Sequence, residues 1–195
     1  MKRVLILALL LGLAACKQET AQDTSPVELT AETLGHFCQM NLLEHPGPKA
    51  QVHLEGLPGM PIFFSQVRDA IAYQRLPEQS HTILAMQVND MGAANATWDN
   101  PGKGNWIDAN EAYYVIGSTQ PGGMGAPETI PFASQAAAAS IAASNGGQVV
   151  RLTEIPDDMV LAPVAADGTT SSPSDSKDES DFEQRLRALA QPGKG

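Results

Sequence analysis

The sequence predicts an α+β fold in which two similar ββαβ-like units form one compact body. Two observations support this prediction. Phe63-Phe64-Ser65-Gln66 is matched 69 residues later by Phe132-Ala133-Ser134-Gln135, and each segment follows a Pro/Ile pair and opens an apolar run with helical spacing. Short β-prone segments flank both of these helical runs.

Residues 1–15 are predicted to be an export signal. A short cationic start precedes ten apolar residues, which are too few to span a bilayer as a permanent helix. The run ends in Leu13-Ala14-Ala15-Cys16, which resembles a bacterial lipobox and predicts a lipid on Cys16. An ordinary signal peptide cleaved after small residues is the alternative. Residues 16–30 would then be a polar tether anchored through that lipid.

The first unit is assigned to residues 31–95. Phe63 or Phe64, Val67, Ala70 and Ile71 share one face of a predicted helix. The strand candidates around this helix are residues 51–54, which alternate, residues 82–88, which are rich in β-prone apolar residues, and a further strand at residues 38–43.

The second unit is assigned to residues 96–161. An alanine-rich run from Gln135 to Ala143 has high helix propensity and stops at Asn145-Gly146-Gly147, a typical helix terminus. The strand candidates are residues 106–110, as the counterpart of residues 38–43, and residues 113–116 and 149–152.

Charge and composition limit the classes of partner. The chain has 22 acidic against 12 basic residues and a formal net charge of −10, which argues against nucleic-acid binding. Residues 162–195 are rich in Ser, Asp, Thr and Gly and are predicted to be a disordered acidic tail. A Phe182/Leu186/Leu189 stripe within them could form a short helix against a partner.

Cys38 is the candidate of greatest chemical interest. With Cys16 assigned to the lipid, Cys38 has no disulfide partner. It lies in His36-Phe37-Cys38-Gln39-Met40, and an extended backbone would place His36, Cys38 and Met40 on one face. Thiolate and thioether donors select Cu(I), so the pattern indicates a soft-metal site, although His36 could equally be a surface histidine.

The methionines divide by their surroundings. Met124 and Met60 lie on glycine-containing loops before the two helices, and each could be a ligand or a packing residue. Met91 resembles a turn residue, whereas Met86 falls in a strand pattern and is expected in the core. His53 alternates with apolar neighbours, which predicts that it lies on the wetter face of its strand.

Enzyme motifs are absent from the sequence, which has no metalloprotease, nucleophile-elbow or phosphate-loop signature. Cys38 and His36 could formally act as a nucleophilic pair, but nothing identifies an orienting third group. Two alternatives to a metal carrier therefore remain. One is a non-catalytic envelope lipoprotein that scaffolds a partner complex, and the other is a thiol enzyme that uses Cys38.

Three segments behind the lipobox together resemble the NosL family of copper-binding accessory lipoproteins. They are Cys38-Gln39-Met40, His45-Pro46-Gly47-Pro48-Lys49-Ala50-Gln51 and Gly123-Met124-Gly125, and the similarity spans roughly residues 36–155. Members more often have Cys-Gly-Met, so Gln39 departs from the pattern while keeping both donor residues.

This resemblance implies a function as well as a fold. It implies two ββαβ units, Cu(I) bound by Cys38, Met40 and Met124, and a further donor for which His36 is the first choice. It also implies a periplasmic chaperone rather than an enzyme. The copper would serve the tetranuclear copper-sulfide centre of nitrous-oxide reductase, with the apo-reductase and its maturation ABC transporter as partners. The lipid would hold the protein at either the inner or the outer membrane.

Overall fold

The structure, a computed structural model, describes residues 21–164. The elements of the first half are β1 (Ala50–Leu54), β2 (Ile62–Phe64), α1 (Val67–Arg75), β3 (Ile83–Asn89) and β4 (Trp106–Asp108). The four strands form an antiparallel sheet with the order β2-β1-β3-β4. Helix α1 connects β2 to β3.

The second sheet repeats this connectivity with strand order β6-β5-β7, again antiparallel. Its elements are β5 (Tyr113–Ile116), β6 (Ile130–Phe132), α2 (Gln135–Asn145) and β7 (Gln148–Arg151), and a short helix, α3 (Asp157–Leu161), follows. Two strands, a helix and a third strand therefore occur twice, with the first strand central each time. The predicted α+β class is confirmed.

The correspondence between the halves differs slightly from the sequence match. Phe64 ends β2 as Phe132 ends β6, and α1 begins at Val67 as α2 begins at Gln135. The sequence match, which paired Phe63 with Phe132, was therefore displaced by one residue. Both helices begin three residues after the last residue of the preceding strand.

One strand prediction was wrong, and another was right about the strand but wrong about the sheet that contains it. Residues 38–43 contain a turn followed by the start of a short 3₁₀ helix, Leu42–Glu44, and no extended strand. The strand at Trp106–Asp108 exists, but it pairs with β3 in the first sheet. It lies within the range assigned to the second unit, so the chain completes the first sheet before it starts the second.

One hydrophobic core is shared by the two halves. Val67 and Ile71 of α1 and Met86 of β3 pack in the same cluster as Tyr114 of β5 and Val160 of α3. The predicted core position of Met86 is confirmed. Helix α3 also packs on α1 across the two halves.

Residues 22–28 lie across the first sheet, within the range predicted to be a tether. Gln51 exchanges two hydrogen bonds with the backbone of Val27, and Gln87 donates to the carbonyl of Thr24. His53 is fully buried, so the expected wetter position was wrong. Within residues 21–164 no helix has both the length and the hydropathy needed to cross a bilayer.

Candidate metal centre

Cys38 lies in a tight turn that runs from Gly35 to Met40. The backbone N–H of Gln39 donates to the carbonyl of Gly35 at 2.9 Å, and the N–H of Gly35 donates to the carbonyl of Met40 at 3.0 Å. An isolated antiparallel bridge between Leu34 and Asn41 closes the turn. The predicted extended backbone was therefore wrong, and Cys38 and Met40 are brought together by a chain reversal.

Gln39 allows this reversal by adopting the left-handed conformation. Its φ is +55°, which lies in a backbone region that costs free energy for residues other than glycine. Its side-chain amide donates to the carbonyls of Gly35 and His36 at 3.2 and 2.7 Å. These two hydrogen bonds stabilise a turn whose left-handed residue would otherwise favour glycine.

The Cys38 thiol is free and partly buried. Its Sγ lies 4.0 Å from the carbonyl oxygen of Met40. A Cβ at Gly35 would overlap this Sγ, so the turn needs glycine there to accommodate the sulfur. Met40, two residues further along the same turn, is 40% exposed.

His36 belongs to an aromatic cluster on the same turn. Its ring centroid lies 5.3 Å from that of Phe37, 5.6 Å from Phe64 and 5.4 Å from Tyr73. Its backbone N–H donates to the carbonyl of Phe63 at 2.6 Å, which fixes the turn to the end of β2. The imidazole is thus packed on one side while the residue stays exposed.

Met124 lies on a separate loop, contributed by the second half of the chain. The N–H of Gly122 donates to the carbonyl of Ala126, and the N–H of Gly125 donates to that of Gly122, so the loop is closed on itself. The Gln66 side chain donates to the carbonyl of Ala126 at 3.4 Å. Met124 is 41% exposed at the tip of this loop.

The loop around Met124 rests on the turn formed by residues 45–47. A Cβ at Gly123 would overlap the carbonyl oxygen of Pro46 and lie 3.4 Å from the Cβ of His45. The two backbones can approach this closely only because residue 123 is glycine. His45, which sequence reasoning treated as a simple turn residue, has a buried Nε2 with no hydrogen-bond partner within residues 21–164.

Lys49 and Glu128 were missed by the sequence analysis. Lys49 is 1% exposed and donates through Nζ to the carbonyls of His45, Pro46 and Gly47. Glu128 is equally buried, and its Oε1 accepts from the backbone N–H groups of Arg68 and Thr129. The Pro-Gly-Pro-Lys motif was the one sequence signal that pointed to Lys49. No local sequence signal points to Glu128.

Burial is the largest influence on the pKa values of both Lys49 and Glu128. Burial lowers the pKa of Lys49 to about 8, and the ionised form of the neighbouring Glu128 would act in the opposite direction. Burial also raises the pKa of Glu128 to about 8, against the effect of its backbone hydrogen bonds to Arg68 and Thr129.

The donor chemistry of the region is soft. No group of three or more His, Cys, Asp and Glu side chains is arranged to hold a metal anywhere in residues 21–164. Hard or borderline ions such as Ca²⁺ and Zn²⁺ generally require such groups. The sulfur donors of the candidate site are Cys38 and Met40 on one turn and Met124 on the glycine-rich loop.

Comparison with known proteins gives consistent matches. The NosL family model matches residues 26–160. A copper-binding lipoprotein NosL of Achromobacter cycloclastes is 58% identical over 192 residues, which is 98% of this chain and 96% of the relative. A protein of the same name from Stutzerimonas stutzeri is 35% identical over 155 residues, covering 77% of this chain and 78% of its own.

A solved structure supports the same assignment. The crystal structure of the copper chaperone NosL from Shewanella denitrificans superposes with a TM-score of 0.63 at 26% identity. The match covers 68% of this chain and 96% of that protein. The arrangement of two sheets described above is therefore the arrangement of a known fold.

Proposed function

The chain belongs to the NosL family, and on that premise we propose that it is a lipid-anchored copper chaperone that binds Cu(I) through Cys38, Met40 and Met124. The observation that supports this most is the turn at residues 35–40. It carries a free thiol and, two residues on, an exposed methionine, and thiolate and thioether are the donor types that select Cu(I).

The exposure of the methionines supports the choice of ligands. Met86 is buried as an ordinary core methionine, whereas Met40 and Met124 are 40% and 41% exposed. A surface methionine on a backbone-closed turn or loop contributes little to packing. Its thioether is available to a metal, and a neutral, exchangeable donor suits a carrier that must release its cargo. His36 is the proposed further donor, since its ring is fixed on the same turn as Cys38.

The metal assignment can be tested by loading the reduced full-length protein under anaerobic conditions. It should take up about one Cu(I) and bind Zn(II) far more weakly, because two of the three donors are thioethers. Affinity is measured by competition with a chromophoric Cu(I) chelator. A Zn(II) affinity equal to or above the Cu(I) affinity would rule out the site.

The ligand assignment is tested by three substitutions. Cys38→Ala should remove most of the Cu(I) affinity, and Met40→Ala and Met124→Ala should each weaken it. Met60→Ala is the matched control, since Met60 is another surface methionine on a loop, 61% exposed. If Met124→Ala behaved like Met60→Ala, the second half of the chain would contribute no ligand.

The cellular role follows from the same premise. The lipid would be attached at Cys16, which lies outside the described residues, and would hold the protein in the periplasm at a membrane surface. We propose that its copper goes to the tetranuclear copper-sulfide centre of nitrous-oxide reductase, with the maturation ABC transporter as a further partner. Transfer of ⁶⁵Cu from the loaded protein to the apo-reductase tests this, with Cys38→Ala as the negative control.

A further inference from the structure

Lys49 is a buried ammonium whose position calls for an explanation. It precedes β1 and is 1% exposed. Burying a charge costs several kcal/mol unless hydrogen bonds replace the lost water. Here Nζ donates to the carbonyls of His45, Pro46 and Gly47, at 2.8, 3.0 and 2.5 Å. Three consecutive carbonyls therefore converge on one ammonium, and this fixes the shape of the turn at residues 45–47.

That turn supports the loop that bears Met124. Gly123 approaches Pro46 so closely that a Cβ would overlap the Pro46 carbonyl oxygen, which is one of the three oxygens bound by Lys49. The loop is closed by the hydrogen bonds of Gly122 and Gly125 and by the bridge between Pro121 and Pro127. A displacement of Pro46 would therefore move the loop as a body.

The contact between turn and loop joins the two halves of the chain. Lys49 and the turn at residues 45–47 precede β1 in the first half, whereas Gly123 and Met124 belong to the second half. The Lys49 ammonium is thus connected to the Met124 loop through the Pro46 carbonyl, which it binds and which Gly123 contacts.

We propose that Lys49 is a positioning residue, which holds the Met124 loop at the distance from Cys38 that copper requires. This inference rests on the proposed function. Lys49 does not touch the metal, and it acts by holding the carbonyls of His45, Pro46 and Gly47 in place. A purely structural role would lower stability alone, whereas a positioning role removes the contribution of Met124 to binding.

The test is a double-mutant cycle on Cu(I) affinity in the full-length reduced protein. Lys49→Met keeps the length of the side chain but removes its donors and charge. It should lower Cu(I) affinity about 10- to 100-fold, the usual effect of losing a partner that supports a metal ligand. Adding Met124→Ala to Lys49→Met should cause little further loss. Lys103→Met, at an exposed lysine, is the matched control and should leave affinity unchanged.

A second variant covers the case in which Lys49→Met does not fold. Gly123→Ala leaves every charge in place but forces the loop away from Pro46. Adding Met124→Ala to Gly123→Ala should therefore also cause little further loss of Cu(I) affinity. Gly104→Ala is its control, because Gly104 has a φ of +68° with no atom within 4 Å of its Cβ position. It should cost stability through backbone strain while leaving Cu(I) affinity unchanged.

The outcomes separate this inference from the proposed function. If Cys38→Ala leaves Cu(I) affinity unchanged, the proposed function fails. If Cys38→Ala removes binding but the effects of Lys49→Met and Gly123→Ala add fully to that of Met124→Ala, the positioning role is overturned and the copper site stands. If Met124→Ala causes little further loss of Cu(I) affinity in both Lys49→Met and Gly123→Ala, the inference is supported.

Discussion

Gln39 combines an unfavourable backbone with favourable side-chain contacts. Its φ of +55° lies in the left-handed region, which costs a residue with a Cβ roughly 1–2 kcal/mol. Its amide recovers part of this cost through hydrogen bonds to the carbonyls of Gly35 and His36. The turn that presents Cys38 is thus held by the side chain of the residue between the two sulfur donors.

Substitutions at Gln39 should separate the two effects. Gln39→Ala and Gln39→Gly both remove the amide hydrogen bonds, but only glycine also removes the left-handed strain. We therefore expect Gln39→Gly to be more stable than Gln39→Ala by about 1 kcal/mol, measured by urea unfolding. Equal stabilities would show that the turn relaxes to a conformation that alanine tolerates.

Met86 and Met60 provide a contrast in stability. Met86 is 3% exposed in β3, so Met86→Ala should lower the free energy of unfolding by about 2–5 kcal/mol. Met60→Ala, at a side chain 61% exposed, should change it by less than about 0.5 kcal/mol. Chemical denaturation of both variants checks the difference, and a large loss at Met60 would show an unsuspected packing role.

Sequence reasoning succeeded where a residue's surroundings are local. Met86 lies in a strand pattern that predicted its burial correctly, because its neighbours in β3 decide which face it occupies. His53 was misplaced because residues 22–28 cover its face of the sheet. A strand pattern cannot reveal a cover supplied by a distant segment.

Helix α1 depends on the second half of the chain for its N-terminal cap. Its own N-cap residue, Gln66, makes no side-chain capping bond, and the Arg68 N–H donates instead to Glu128 at 3.0 Å. A carboxylate is favoured at a helix N-terminus, but full burial favours its protonated form. Burial prevails here and raises the pKa of Glu128 from its ordinary value of 4.5 to about 8.

This raised pKa predicts how stability depends on pH. Between about pH 4.5 and pH 8 the folded protein keeps a proton on Glu128 that the unfolded chain has lost. The contribution of Glu128 is therefore complete below pH 4.5 and declines as pH rises toward 8, by about 1 kcal/mol per pH unit. Glu128→Gln keeps an acceptor for Arg68 and should remove this decline. Urea unfolding at several pH values between 5 and 8 measures it.

The control for this prediction is Glu55→Gln, at an exposed carboxylate just after β1. It should leave the slope of stability against pH as it is in the natural protein. If Glu128→Gln showed the same slope as Glu55→Gln, Glu128 would be ionised in the folded state throughout this range.

The elements themselves were predictable to different degrees. Helix α2 was found because its alanine-rich composition and the Asn145-Gly146-Gly147 stop are local signals. The turn at residues 35–40 was mistaken for a strand, since one of its anchors is a hydrogen bond from His36 to Phe63. Strand β4 was recognised as a strand but not as the partner of β3, because pairing depends on the whole sheet.

At the scale of the molecule, the candidate site was only partly predictable. Local patterns and the family resemblance led to Cys38, Met40 and Met124. The contact of Gly123 with Pro46 and the hydrogen bond from Arg68 to Glu128 emerge only when the two halves pack together. Contacts between residues that are far apart in sequence leave no periodic signal, so their discovery needs the fold.

The extent of the cooperative fold leads to the last prediction. Arg68 donates to the carbonyls of Met159 and Ala162 at 2.9 and 2.7 Å, and Val160 belongs to the shared core. Residues 165–195 lie outside the described part and contain no Cys, His or Met. A chain ending at Val164 should therefore keep the Cu(I) stoichiometry and nearly the full thermal stability, while a chain ending at Ile155 should lose several kcal/mol with helix α3. Calorimetry and copper loading of both truncations test this. A chain ending at Val164 that unfolded or failed to bind copper would show that the acidic tail is part of the folded domain.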